Sequence, residues 1–285
     1  MVREVKKILV LGLGVMGNGI AHSAAMAGYH VNTYDIKQEF VDKGIETIQK
    51  NLTRGIKKGK ITEEGVTEVL SRVKGFIDLV EASRDVDFVI EAVFENIEVK
   101  INLYSELDKL LSEDVIIASN TSTLSISLLA GGSNRESRFI GMHFFNPVPM
   151  MKLCEIITGI GTSDETLELT KAIGTKMGKE VVVAKDSPGF IVNRILIPMM
   201  NEAVFALDEG VGSVEDIDKA IKLGLGHPMG PLTLLDLIGL DTALHVHDAF
   251  HAAFNDSKYR VSPLLRRMVA SGRLGRKNGK GFYDY

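Results

Sequence analysis

His143 and Glu155 are the two residues of this 285-residue chain best suited to moving a proton. They lie in RFIGMHFFNPVPMMKLCE, Arg138–Glu155. A histidine titrates near neutral pH, so it serves as general base in one direction and general acid in the other. A carboxylate on its second ring nitrogen fixes the tautomer and stabilises the imidazolium that forms. Apolar runs flank an Asn-Pro turn here, which predicts two short strands joined by a Pro-rich connection. That connection would bring the imidazole and the carboxylate together. A histidine at a strand end is often structural, and what raises this one is its spacing from Glu155 across the turn.

A second group of residues suits a cofactor. Gly12-Leu13-Gly14-Val15-Met16-Gly17 follows the aliphatic run Lys7–Leu11 and precedes an Ala-, Ile- and Met-rich stretch ending at Gly28. In a strand–GxGxxG–helix unit, the first glycine makes the tight turn. The second lets a pyrophosphate approach the backbone, and the third lets the helix pack on the strand. The helix N-terminus then presents free N–H groups to the phosphates. Val31–Tyr34 reads as the next strand and ends at Asp35, 21 residues beyond Gly14. An acid at about 20 residues accepts hydrogen bonds from a ribose and repels a 2′-phosphate, so NAD is expected rather than NADP. A structural turn followed by a solvated Asp is the plainer alternative. With a dinucleotide bound, the expected chemistry is hydride transfer, His143 taking a hydroxyl proton as the hydride leaves.

Further candidates sit where loops follow strands. Glu95 lies just past the strand Val86–Ala92, and Ser119-Asn120-Thr121-Ser122-Thr123 follows the strand Val115–Ala118. Ligands of open α/β sheets bind beyond the carboxyl ends of strands. These small polar residues could also be a plain turn and helix cap. Asn193 stands in the apolar PGFIVNR run, where a buried amide needs a partner. Arg54, Lys57, Lys58 and Lys60 form either a solvated helix face or a dock for a phosphorylated substrate handle. His245, His247 and His251 share a helix without the acid or cysteine partners of a zinc site, so no metal is expected.

These residues require elements to position them. Strands and helices alternate up to Asp186-Ser187-Pro188-Gly189, and then only helices follow. The expected fold is α/β: a Rossmann-like NAD-binding domain over 1–185, carrying a helical insertion at 38–71. An all-α C-terminal domain over 186–285 follows it. A net charge of −4 gives no field favouring nucleic acid, and no apolar run approaches the ~18 residues of a membrane span. One cysteine, Cys154, excludes an internal disulfide. The N-terminus enters a strand too soon for a signal peptide, so the expected location is cytoplasmic.

Several long motifs carry a resemblance: GLGVMGNGIA, FENIEVK, ASNTSTLSI, GMHFFNPVPMMKLCEI, DSPGFIVNRILIPMMNEA and KLGLGHPMGPLTLLDLIGLD. They are similar to the 3-hydroxyacyl-CoA dehydrogenases, in particular the bacterial 3-hydroxybutyryl-CoA dehydrogenases, over essentially the whole chain. The resemblance implies reversible oxidation of an L-3-hydroxyacyl-CoA by NAD. It implies His143 as base, Glu155 as its partner, and Ser122 and Asn193 as ligands of the substrate oxygen. On the cofactor side it implies Asp35, Glu95, Lys100 and Asn120, beside the loop residues Gly12, Gly14, Val15, Met16 and Gly17. The resemblance further implies that Arg54 and Lys57 fall where the family meets CoA, that a homodimer forms through the C-terminal domain, and that the active site lies in the cleft between domains. Two alternatives remain: a 3-hydroxyacid dehydrogenase acting on a free acid through a lysine base, and a non-catalytic, crystallin-like relative. HFFNP disfavours the first, and the complete polar set disfavours the second.

Overall fold

A computed structural model describes residues 4–285, and the chain divides after Ser187 into two compact units. The first unit begins β1 (Lys7–Leu11), α1 (Val15–Met26), β2 (His30–Tyr34), α2 (Gln38–Lys57), α3 (Glu63–Ser71) and β3 (Val73–Phe76). It continues α4 (Leu79–Ala82), β4 (Phe88–Glu91), α5 (Ile97–Leu110), β5 (Ile116–Ser119), α6 (Ile126–Ala130) and β6 (Phe139–Phe144). It closes with β7 (Leu153–Thr158), α7 (Asp164–Lys176) and β8 (Glu180–Lys185).

The eight strands form one sheet in the order β3-β2-β1-β4-β5-β6-β7-β8. Strands β1 to β6 run parallel, β7 is antiparallel to β6, and β8 is parallel to β7. Side chains alternate between faces along a strand. One face therefore collects Ile90, Ala118, Met142 and Ile156, which join Ile8, Val10 and Ile20 in the main core. The opposite face receives Glu91, Ser119, His143 and Glu155. The polar chemistry is thus placed on one side of the sheet by a period of two. Three of those four residues are wholly buried and His143 is 4% exposed, so each requires a partner.

The edge strand β3 was not expected from sequence, where no strand falls between Ser71 and Val86. Its four residues, VKGF, carry a lysine and a glycine and are at most half-buried. It pairs only with β2, so it lacks the continuous apolar signature of a strand covered on both faces. Its presence makes α2 and α3 the crossover from β2 to β3 rather than an insertion between two central strands.

The second unit is helical: α8 (Val192–Asp208), α9 (Val214–Gly224), α10 (Pro231–Ile238), α11 (Leu240–Phe254) and α12 (Pro263–Ala270). Met200, Val204, Leu232, Leu235, Leu240 and Leu265 form its core. Asp236 is fully buried and accepts the backbone N–H groups of Phe282 and Tyr283 at 2.9 and 3.0 Å. One carboxylate therefore fastens the last residues to α10. His247 is a core histidine, its ring nitrogens facing the carbonyls of Ala243 and Ile197 at 2.7 and 3.2 Å.

Candidate active site

The His143–Glu155 pair arises from strand register. The two residues are direct partners on the antiparallel strands β6 and β7. Cross-strand neighbours lie about 5 Å apart at Cβ, close enough for side chains to meet. Glu155 Oε2 lies 2.8 Å from His143 Nδ1. An ionised carboxylate only accepts, so Nδ1 carries the proton and Nε2 is left with its lone pair. Ser122 Oγ sits 3.2 Å from Nε2 and donates to it. The Phe145 ring leans on the imidazole with centroids 4.6 Å apart. The result is a base whose tautomer and orientation are set from both ends.

The Ser122 loop is held from below. Glu95 Oε1 accepts the Ser122 N–H at 3.0 Å and the Thr123 hydroxyl at 3.2 Å, and also takes a hydrogen bond from the Thr121 hydroxyl. Glu95 Oε2 pairs with Lys100 Nζ at 3.2 Å. Burial pushes the Glu95 carboxyl up, but the Lys100 ammonium and the loop hydrogen bonds outweigh it and hold the group below its ordinary value. Lys100 is 1% exposed, and its ammonium faces protein carboxylates. Its second counter-ion is Glu91 Oε1 at 2.6 Å. Glu91 also accepts Val93 N at 2.7 Å, the Tyr104 hydroxyl at 2.5 Å and the Ser119 hydroxyl at 2.7 Å. Burial and the Glu91 charge push the Tyr104 phenol well up, so it stays a donor. An unpaired ion at this depth would cost several kcal/mol. Sequence reasoning missed Glu91, because within VDFVIEA it reads as one polar residue of a strand. The available signal was a charged residue where a parallel strand is covered on both faces. Asn120 turns its carbonyl oxygen to Phe144 N at 2.9 Å, tying the end of β5 to β6.

The glycine loop opens on a cavity of about 1120 Å³, lined by Gly12, Gly14, Met16, Asp35, Phe94 and Pro147 among others. That exceeds the volume of most small-molecule pockets and suits an extended dinucleotide. Gly12 has φ +83°, and a Cβ there would come within 2.7 Å of Ala92 O. A Cβ on Gly17 would fall 1.6 Å from Gly12 O. At Gly14, by contrast, a Cβ would meet nothing within 4 Å, which is the open approach a pyrophosphate needs. Gly14 is also the N-cap of α1 and offers no capping side chain, so the first-turn N–H groups remain for an anion. Asp35 Oδ2 accepts Leu13 N and its Oδ1 accepts Ile36 N, both at 2.8 Å, fixing a negative charge at the end of β2. These features fit a dinucleotide with a free ribose.

The other expected residues are carried by helices. Phe40, Gly44, Thr47 and Asn51 of α2 line the cavity at helical spacing. Arg54 and Lys57 continue that helix into its last turn and are exposed. Asn193 belongs to the second unit, half-buried in the first turn of α8.

Comparisons with known proteins agree with this geometry. Residues 7–187 match the family model described as 3-hydroxyacyl-CoA dehydrogenase, NAD binding domain. Residues 189–285 match 3-hydroxyacyl-CoA dehydrogenase, C-terminal domain. The chain is 50% identical to a 3-hydroxybutyryl-CoA dehydrogenase of Bradyrhizobium diazoefficiens, covering 100% of this chain and 97% of that protein. It is 48% identical to a probable 3-hydroxybutyryl-CoA dehydrogenase of Bacillus subtilis, covering 99% and 98%. The crystal structure of (S)-3-hydroxybutyryl-CoA dehydrogenase from Ralstonia eutropha superposes with a TM-score of 0.97 at 48% identity, covering 99% of each chain. A catalytic-type His–Glu pair, a cavity large enough for a dinucleotide and two consecutive domain matches converge, and the chain belongs to the 3-hydroxyacyl-CoA dehydrogenase family.

Proposed function

We propose that this chain catalyses the reversible oxidation of a short-chain L-3-hydroxyacyl-CoA, such as 3-hydroxybutyryl-CoA, to the 3-ketoacyl-CoA. The observation that carries this reading is His143, held between Glu155 and Ser122 in the unit that contains the glycine-walled cavity. NAD, when bound, supplies the acceptor for the hydride that leaves C3. His143 Nε2 takes the proton of the C3 hydroxyl, and in reverse returns it to the forming alkoxide. Glu155 keeps the lone pair on Nε2 and stabilises the imidazolium. With substrate bound, the Ser122 hydroxyl turns its one proton from Nε2 to the C3 oxygen, which frees the Nε2 lone pair, and Asn193 is assigned a second contact to that oxygen on family resemblance. The Gly12–Gly17 backbone takes the pyrophosphate, and Asp35 takes the adenosine ribose. Glu95 faces the nicotinamide side, with Lys100 and Asn120 behind it. Arg54 and Lys57 are assigned to the CoA phosphates, the guanidinium as a bidentate donor and the ammonium as a point charge.

The helical unit is assigned a homodimer interface. It exposes Val211, Leu223, Leu225 and Ile195 at 62 to 76%, apolar surface that a second copy would cover. Light scattering would give twice the chain mass if this holds. A cytoplasmic setting suits a chain with one buried thiol and, among its described residues, no helix long and apolar enough to cross a membrane.

Steady-state oxidation of NADH and NADPH with acetoacetyl-CoA, a longer 3-ketoacyl-CoA and free acetoacetate tests the reading. NADH with acetoacetyl-CoA should be the preferred pair. Turnover of free acetoacetate in preference to its thioester would select the free-acid alternative. No turnover of any of them would overturn the assignment.

A further inference from the structure

We infer that Glu91 is a positioning residue for the reaction: it neutralises the inner side of Lys100, leaving Glu95 free to hold Ser122 against His143. The inference rests on the role proposed above for Ser122. A chain of ion pairs and hydrogen bonds runs from Glu91 Oε1 to Lys100 Nζ at 2.6 Å, then to Glu95 Oε2 at 3.2 Å. It passes from Glu95 Oε1 to Ser122 N at 3.0 Å, and from Ser122 Oγ to His143 Nε2 at 3.2 Å. Glu91 does not itself line the cavity and makes no hydrogen bond to the imidazole; its side chain's one direct link to the lining is the Val93 N–H at 2.7 Å, so it acts through others.

The division of labour on Glu95 is the central point. One oxygen faces the ammonium and the other faces the loop. Lys100 is 1% exposed and reaches no bulk water, so its charge requires protein oxygens. In the native chain those oxygens come from two carboxylates. In Glu91→Gln the ammonium draws on Glu95 alone and turns its second oxygen from Ser122. Glu91 is itself fixed. It is the register partner of Ser119, its side chain accepts from the Tyr104 and Ser119 hydroxyls, and its backbone carbonyl accepts Asn120 N at 2.8 Å. The two loops that leave β4 and β5 are therefore referenced to one carboxylate.

The test is a double-mutant cycle with Ser122. Glu91→Gln keeps the volume and one acceptor but sets an amide N–H against the surrounding donors. It should lower kcat for acetoacetyl-CoA reduction by about 10- to 100-fold, as a misplacement near 1 Å does. KM and the NADH dissociation constant, read from NADH fluorescence, should change less than about threefold, the effect being on orientation rather than uniform binding. In a Ser122→Ala background the same substitution should cost less than about threefold more, because the hydroxyl it positions is gone. Equal losses in both backgrounds, or an unchanged kcat, would overturn the inference. Should Glu91→Gln not fold, Tyr104→Phe removes one donor to Glu91 and must show the same non-additivity with Ser122→Ala. Wild-type turnover is measured in the same assay, so failure of the overall functional reading is seen separately.

Discussion

Ser122 and Glu155 meet the same imidazole ring from opposite ends, 3.2 Å from Nε2 and 2.8 Å from Nδ1 of His143. The base therefore has one orientation and one tautomer. His143→Gln should lower kcat by about 10²- to 10⁴-fold, the usual contribution of a positioned acid–base group. NADH binding should survive, since the cavity lining is untouched. Undiminished NADH consumption with acetoacetyl-CoA would remove His143 from the mechanism. Glu155→Gln should show a similar kcat defect, because an amide oxygen accepts the Nδ1 proton without stabilising the imidazolium.

On the proposed function, Asp35 is the residue that should set the choice of nicotinamide cofactor. Its carboxylate is pinned by Leu13 N and Ile36 N, so its charge stays at the end of β2. Asp35→Ser should shift the ratio of kcat/KM for NADPH over NADH by about tenfold or more toward NADPH, equivalent to ~1.4 kcal/mol of removed repulsion. An unchanged ratio in steady-state assays would show that discrimination lies elsewhere.

Asp186 is a capping residue brought from the far end of the sheet. It accepts the Ser125 hydroxyl at 2.7 Å and the Ile126 and Ser127 N–H groups at 3.0 and 2.8 Å, at the start of α6. Asp186→Ala leaves those donors unmatched and should cost about 1–2 kcal/mol. For a unit of this size the melting midpoint should fall by about 2–8 °C. Calorimetry showing no shift would mean that water replaces the carboxylate without loss.

His22 introduces an acid-sensitive contribution to stability. Burial, with the nearby Lys179 ammonium, lowers its pKa to about 4 from 6.5. Its Nδ1 is buried without a hydrogen-bond partner. In the folded state the ring stays neutral, while the unfolded chain takes up a proton below pH ~6.5. Stability from this residue is thus fully present above pH ~6.5 and is lost as pH falls toward 4. His22→Leu should show a flatter decline in urea midpoint between pH 6.5 and 4 than the wild type. Parallel declines would assign the acid sensitivity to other groups.

Much of this site could be read from residue order. Gly12, Gly14, Gly17 and Asp35 announce themselves because each meets a local steric or electrostatic need at a fixed spacing. The match of His143 to Glu155 was legible because one turn joins their strands. Glu91 and the edge strand β3 were not. The role of Glu91 depends on Lys100, Tyr104 and Ser119, which approach it from a helix and a neighbouring strand. No local pattern encodes that meeting. Strand β3 is short, partly exposed and glycine-containing, so its pairing with β2 decides what its composition leaves open. Lys100 could be tied to the cofactor side from its motif, but its depth could not be read there, since a lysine on an amphipathic helix ordinarily faces water.

The reversal of β7 has a consequence for how this enzyme tolerates length variation. Phe145 to Lys152 can lengthen or shorten without altering the frame in which β6 and β7 zip together. A single residue added within either strand is another matter. It would carry Glu155 or His143 through to the face occupied by Met142 and Ile156, placing a carboxylate in the apolar core and a methylene chain beside the base. Variation in chain length should therefore be excluded from the twelve strand positions of β6 and β7 and collect in the part of the connection beyond Phe145, which leans on His143, and residues 146–149, which line the cavity. A library of one-residue insertions scanned across Phe139–Thr158 would display this as two silent blocks flanking a permissive window.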